Sequence, residues 1–160
     1  KISDDWNALN VLSNNASTVG AYDLDILDNE TIDKVLSNQF ELIFLFGQDS
    51  LSIEKKNEFI VYIGTHGDKG AEMADLILPS AAYTEQDGYY TNLEGNLQLA
   101  FKASYPPGEA KEDWEIVNEL SNKLKGKSLY ANKQELIDNF LNYLNQKTKK
   151  NDELIKNDFS

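Results

Sequence analysis

The stretch Phe40–Pro79, "FELIFLFGQDSLSIEKKNEFIVYIGTHGDKGAEMADLILP", holds three short apolar runs separated by polar, glycine-containing connections. The runs are Phe40–Phe46, Phe59–Gly64 and Ala74–Pro79, each of strand length and each too short for an ordinary core helix. They are rich in Ile, Leu and Phe and are closed by Gly47, Gly64 and Pro79. Phe40–Phe46 lacks polar alternation, the pattern of a strand buried on both faces, as in parallel sheets. With a short helix in the first connection and a loop in the second, the order predicts a parallel α/β layer. Ligands of such sheets lie outside the carboxyl ends of the strands. The loops "GQDS" after Phe46, "GTHGDKGAE" after Ile63 and "PSAAYTE" after Leu78 are therefore the predicted rim of a pocket.

Upstream, "NETIDKVLSN" predicts a short helix with Ile32, Val35 and Leu36 on one face and Asn29 as its cap. Before it, residues 4–15 place Trp6, Leu9 and Leu12 at helical spacing behind Ser3 as N-cap. Downstream, "YYTNLEGNLQLAFKAS" alternates around Glu94 and Gly95 and reads as a β-hairpin or strand-turn-strand. Pro106 and Pro107 break the chain ahead of an amphipathic helix carrying Trp114, Val117, Leu120 and Leu124, which Gly126 stops. A further helix bears Leu136, Ile137, Phe140, Leu141 and Leu144, and the charged residues 147–160 read as a frayed tail. The organisation expected is an α/β region at 1–105, helices at 106–146 and a polar tail at 147–160.

Composition narrows the partners. A formal charge of −12 repels nucleic-acid phosphate and anionic lipid, so no nucleic-acid partner is expected. All 15 basic residues are lysine, and the planar fork with which arginine grips carboxylate or phosphate is missing. The absence of cysteine removes disulfides, thiol nucleophiles and thiolate-held iron–sulfur or zinc from this stretch. No apolar run approaches the length of a membrane span, so direct membrane insertion is not expected. A chain that opens on Lys1 reads as a piece of a longer protein.

The chemistry-bearing residues are sparse. His66 sits between glycines with Asp68 close enough in sequence to orient an imidazole base, yet no nucleophile accompanies them. "GDKG" lacks the spacing of a phosphate loop. Asp75, Glu85, Asp87 and Glu94 could offer oxygens to a hard cation but follow no known loop order. Tyr83, Tyr89 and Tyr90 could stack on a flat ligand or pack in a core. From the residues alone there is an α/β domain with a loop-rich sheet edge, and no catalytic or metal-binding set.

The stretch Gly64–Gln98, "GTHGDKGAEMADLILPSAAYTEQDGYYTNLEGNLQ", resembles a signature of the molybdopterin oxidoreductase superfamily. Within it the nearest resemblance is to the large iron–sulfur subunits of respiratory complex I, the NADH:quinone oxidoreductases. "WNALNVLSNNASTVGAYDL" upstream and "PPGEAKEDWEIVNELS" downstream carry the likeness from Trp6 to Ser121. Asp75, Pro79, Glu85, Gly88, Asn92, Glu94 and Gly95 occupy the motif positions, and Asn96 stands where the broader pattern has arginine.

The resemblance implies a partial Rossmann-like sheet layer of the molybdopterin oxidoreductase fold, followed by a hairpin and C-terminal helices. It implies a non-catalytic scaffold region without a cofactor of its own, the iron–sulfur clusters of the parent subunit lying outside this chain. His66, Asp68, Glu85, Asn92 and Glu94 would then mark a vestigial pocket. Pro79 would end a strand, Gly88 and Gly95 would permit turns, and Asn92 and Glu94 would bind backbone across the hairpin. The expected partners are other subunits of the peripheral arm, at the cytoplasmic face of a bacterial inner membrane or the matrix side of the mitochondrial one. An exposed sheet edge would also allow self-association. Two further readings stay open: a pterin-dinucleotide-binding fragment of a molybdenum or tungsten oxidoreductase such as formate dehydrogenase, and a free-standing assembly module.

Overall fold

A computed structural model of the chain describes residues 18–26 and 28–158, so the predicted helix at residues 4–15 lies outside the described residues. Two short helices, α1 (Thr18–Asp23) and α2 (Asn29–Leu36), lead into β1 (Leu42–Phe46) and β2 (Phe59–Gly64). Next come α3 (Lys69–Met73), β3 (Leu76–Pro79) and the hairpin strands β4 (Gly88–Thr91) and β5 (Leu97–Ala100). Helices α4 (Asp113–Lys125) and α5 (Lys133–Asp158) complete the order. The fold is α/β, as the three apolar runs predict.

Strands β1, β2 and β3 form a parallel sheet in sequence order, with Leu42 opposite Phe59 and Val61 opposite Leu76. The crossovers differ from expectation: the short helix lies between β2 and β3, and the connection from Gly47 to Glu58 carries none. That connection is instead pinned by Glu58, a buried carboxylate accepting hydrogen bonds from Lys56 N, Asn57 N and Asn38 Nδ2. The backbone N–H of Glu58 itself is the largest cause of a pKa below the usual value, and the bonds from Lys56, Asn38 and Asn57 add to it against the opposing effect of burial.

The core centres on β2. On one face Ile60 and Tyr62 meet Ile43 and Leu45, with Val35, Ile53, Ala71, Met73 and Ala74 packed against them. On the other face Val61 and Ile63 meet Ile116 of α4 and the partly buried Leu78. Each fully buried side chain of this size contributes about 1.5–3 kcal/mol, so the central strand supplies the largest share of the sheet's hydrophobic stabilisation. β1 departs from its predicted burial on both faces. Ile43 and Leu45 are buried, while Leu42, Phe44 and Phe46 on the other face are 37–52% exposed.

Helix boundaries show local causes. Asp28, one residue before the predicted Asn29, caps α2: its Oδ1 accepts from Glu30 N and its Oδ2 from Thr31 Oγ1. The bond from Thr31 is the largest cause of a lowered Asp28 pKa. Only Val35 of the expected apolar face reaches the core, and Ile32 and Leu36 stay exposed. On α4 the buried residue is Ile116, whereas Leu124 of the predicted face is 73% exposed. Gly126 ends α4 in the left-handed region at φ 65°, as the sequence predicts. The helical backbone of α5 continues past Gln146 to Asp158, where a frayed tail is expected from composition.

Candidate functional site

The carboxyl edge of the parallel sheet is organised by Tyr62 and Asp49. Tyr62 Oη donates to Asp49 Oδ2 at 3.0 Å, and Asp49 Oδ1 accepts from Gly70 N at 3.0 Å. This carboxylate joins the loop after β1, the ring on β2 and the start of α3. Burial of the phenol, reinforced by Asp49, pushes the Tyr62 pKa up to about 12, so the hydroxyl is a donor and not a titrating acid near neutrality. The close approach explains Gly70, since an added Cβ would lie 2.6 Å from both Gln48 O and the Tyr62 ring.

His66 lies on the same edge and is exposed. Its Nδ1 pairs with Thr65 Oγ1 at 2.8 Å rather than with Asp68, which instead occupies the N-cap position of α3. An open depression is lined here by Gly67, Asp68, Lys69, Ala71 and Glu72. It is lined by one of the three loops expected to form a rim, and neither the loop after Phe46 nor that after Leu78 contributes to it.

The other motif residues sit elsewhere and act on their own backbone. Asn92 Oδ1 accepts from Glu94 N at 3.0 Å and Asn96 N at 2.9 Å, closing the hairpin turn with Gly95 at φ 81°. Glu94 Oε2 accepts from Asn96 Nδ2, a side-chain contact rather than the cross-hairpin backbone bond expected of it. Glu85 Oε2 accepts from Ala82 N and Glu85 N donates to Ala82 O, a closed local turn. Gly88 is the first residue of β4 and not a turn, its added Cβ meeting the Tyr90 ring at 3.1 Å. Pro79 ends β3 as predicted.

The four carboxylates considered for a hard cation are dispersed in the same way. Asp75 is bound by Lys55 Nζ at 2.6 Å and Ile60 N at 2.8 Å, and these bonds, led by that from Lys55, lower its pKa. Asp87 is held by Lys102 N at 2.9 Å and Lys133 Nζ at 3.0 Å, and its pKa falls for that reason, the backbone bond first. No group of three or more His, Cys, Asp or Glu able to hold a metal ion occurs among the described residues.

A larger cavity of about 420 Å³ opens where the hairpin faces α1 and α5. Its walls are mainly apolar, including Leu24, Tyr89, Leu97, Leu136, Ile137 and Phe140. Tyr89 and Phe140 meet with ring centroids 5.3 Å apart, the tilted contact that resolves one of the three tyrosines as packing. Tyr83 is 76% exposed. The charges beside this cavity compensate one another. Lys133 Nζ reaches both Asp87 and Glu112 Oε2, and Glu112 also receives Lys102 Nζ at 3.4 Å and Trp114 Nε1 at 3.1 Å. Burial works against the Lys133 charge, but the bonds to Glu112 and Asp87 outweigh it and raise its pKa. This cluster follows no sequence spacing, since Asp87, Glu112 and Lys133 meet only through the tertiary fold.

A pterin dinucleotide, the group that the superfamily resemblance implies, carries a pyrophosphate that needs cationic or N–H donors. At the hairpin and beside the larger cavity the groups that could serve it are already engaged. Asn96 is in the hairpin turn and engaged with Glu94, the chain has no arginine, and Lys55, Lys102, Lys111 and Lys133 are all matched with carboxylates.

Comparison with known proteins agrees with the fold. A family model for molybdopterin oxidoreductases matches residues 1–123. An NADH-quinone oxidoreductase subunit of Rickettsia bellii is 50% identical over 134 residues, covering 83% of this chain and 19% of the relative. The NADH-ubiquinone oxidoreductase 75 kDa subunit of Reclinomonas americana is 42% identical over 143 residues, 87% of this chain and 21% of the relative. The mitochondrial NADH-ubiquinone oxidoreductase 78 kDa subunit of Candida albicans is 43% identical over 130 residues, 80% of this chain and 18% of the relative. The chain thus spans about a fifth of the length of the curated relatives it matches. With more than half its length matched by the family model, and with the resemblance read from its motif residues matched by these relatives, the chain belongs to the molybdopterin oxidoreductase family.

Proposed function

We propose that the chain is a non-catalytic scaffold region of the large subunit of an NADH–quinone oxidoreductase, contributing to the peripheral arm that carries electrons from NADH toward quinone. The observation that carries this reading is the identity, 42–50% over most of the chain, with subunits named for that enzyme. The local geometry supports the scaffold part. Asp75, Glu85, Asn92 and Glu94 spend their hydrogen-bonding capacity on this chain's own turns and ion pairs. No helix among the described residues is long and apolar enough to cross a membrane, consistent with a role beside the membrane in a larger assembly. The reading places the chain on the cytoplasmic or matrix side, free of a cofactor of its own, with iron–sulfur clusters elsewhere in the subunit.

Two measurements on the intact complex test it. Metal mass spectrometry with fluorescence of oxidised pterin should find iron without stoichiometric molybdenum, tungsten or pterin. Stoichiometric molybdenum or tungsten with pterin would overturn the scaffold reading in favour of a pterin-binding fragment. An Asn92→Ala complex should assemble in lower yield while NADH-to-quinone turnover per assembled complex stays unchanged. A turnover loss with normal assembly would also refute it.

A further inference from the structure

Three large aromatic side chains stand in solvent at one place on the surface. Tyr83 is 76%, Phe101 77% and Tyr105 78% exposed. A single exposed ring is ordinary, but these three are drawn together by the backbone. Ala103 N and Ser104 N both donate to Thr84 O, at 2.8 and 3.1 Å, which fastens the loop between Phe101 and Tyr105 beside Tyr83. Lys102 N donates to Asp87 Oδ1 at 2.9 Å and ties the same loop to the start of the hairpin. Pro106 and Pro107 follow at once and restrict the chain further. The rings are mounted on a braced backbone, so little loop entropy is lost when a partner covers them.

The composition of the cluster is that of a contact between separate proteins. Two of its three rings end in hydroxyls, an apolar body with a wet tip, and aromatic side chains are enriched where proteins meet. The cation beside it is already matched, Lys102 Nζ lying 3.4 Å from Glu112 and 4.9 Å from the centroid of the Tyr105 ring.

Charge selects the partner. Within the stretch from Ala81 to Ala110, Glu85, Asp87, Glu94 and Glu109 stand against Lys102 alone, in a chain of net charge −12. Such a field draws cationic partners and repels anionic surfaces, anionic lipid among them. The rings agree with the field, because the face of an aromatic ring attracts a cation, and Lys102 over Tyr105 is an instance within the chain itself. Tyr83 and Phe101 make no ring or cation contact among the described residues, which leaves their faces open.

We propose that Tyr83, Phe101 and Tyr105 form a docking surface for a basic segment of a separate polypeptide, whose arginine or lysine side chains stack on the open rings. This rests on the reading of the chain as a scaffold within a larger assembly.

The test uses the intact complex carrying a photoreactive benzophenone analogue at Phe101 and, in a second preparation, at Tyr83. Both positions are exposed enough to accept it without repacking. After illumination, proteolysis and mass spectrometry, both should cross-link to the same different polypeptide, within a segment of net positive charge. Replacing Tyr83 and Tyr105 together by alanine should lower the Phe101 cross-link about tenfold, the usual scale for truncated anchors at an interface. A cross-link within the same polypeptide, to an acidic or uncharged segment, or to lipid would overturn the inference. So would an analogue that stays uncross-linked in the assembled complex, or a yield unmoved by the double replacement. Each of these leaves the proposed function standing. If the chain failed to purify with an NADH–quinone oxidoreductase, that reading would fall, and this inference with it.

Discussion

Replacing Gly70 with alanine tests the packing at the carboxyl edge of the sheet. The new methyl would lie 2.6 Å from Gln48 O and 2.6–2.7 Å from two carbons of the Tyr62 ring. Favourable contact distances are about 3.5–4.0 Å, so two opposed neighbours must each give by most of an ångström. Neither can do so easily, because one is backbone and the other is a ring 1% exposed and tied by its hydroxyl to Asp49. Overpacking of this kind costs about 1–3 kcal/mol. Displacing α3 would also stretch the bond from Gly70 N to the Asp49 carboxylate, and hydrogen bonds to charged groups contribute about 1.5–3 kcal/mol. Alanine's better helix propensity returns about 1 kcal/mol. The expected net loss is about 2 kcal/mol. With a urea slope of roughly 1–3 kcal/mol/M, the unfolding midpoint followed by far-UV circular dichroism should fall by about 1 M. Gly67→Ala, whose added Cβ meets nothing within 4 Å, is the control and should change stability by no more than about 0.5 kcal/mol. A Gly70→Ala midpoint equal to or above that of the parent chain would refute the argument.

Asn92→Ala removes the acceptor for Glu94 N and Asn96 N and should cost about 1–2 kcal/mol, with faster amide exchange confined first to the hairpin; unchanged exchange at 94–96 would contradict it. Lys133→Met strips the mostly buried Glu112 of its nearest cation but leaves Lys102 and Trp114, so a loss of about 1–3 kcal/mol is expected in chemical denaturation, and no loss would show the cluster to be dispensable. Asp75 and Asp87 have folded pKa values below the ordinary 3.8, so the unfolded chain takes up protons first as pH falls. Their stabilisation is complete above about pH 5 and is lost as pH drops through 3.8 toward the folded values. A thermal midpoint that stays level from pH 6 to pH 3 would count against both ion pairs.

What the sequence made legible was whatever is encoded within a few residues. Three apolar runs became three parallel strands, the Glu94–Gly95 alternation became a hairpin, and Gly126 became a left-handed cap. Features decided by competition among near-neighbour side chains, or by distant partners, were not legible. The α2 cap moved to Asp28 because its two carboxylate oxygens find both Glu30 N and Thr31 Oγ1. The buried side of α4 centres on Ile116, since Val61 and Ile63 happen to lie opposite it. His66 looked like a base oriented by Asp68, but turn geometry gives it Thr65 as its partner. The Lys133, Asp87 and Glu112 cluster spans residues up to 46 positions apart and had no local pattern to announce it.

The mismatch at β1 is of another kind, because there the sequence rule and the observed exposure are both physically sound. A run of five apolar residues lowers free energy only when both faces are dry. Here one face is dry and the other is open, with Phe44 37% and Phe46 48% exposed. Exposing several large apolar groups on an unprotected edge is a liability that natural edge strands avoid with charge, proline or a bulge, and β1 has no charge or proline. The two facts reconcile if the composition of β1 answers to surroundings beyond the described residues. That explanation also accounts for why β2, whose neighbours on both sides are present, satisfies the same rule almost completely, with Ile60 through Ile63 at 4% exposure or less. The contrast between adjacent strands of similar composition thus lies on one face of one strand, where Leu42, Phe44 and Phe46 stay half-exposed.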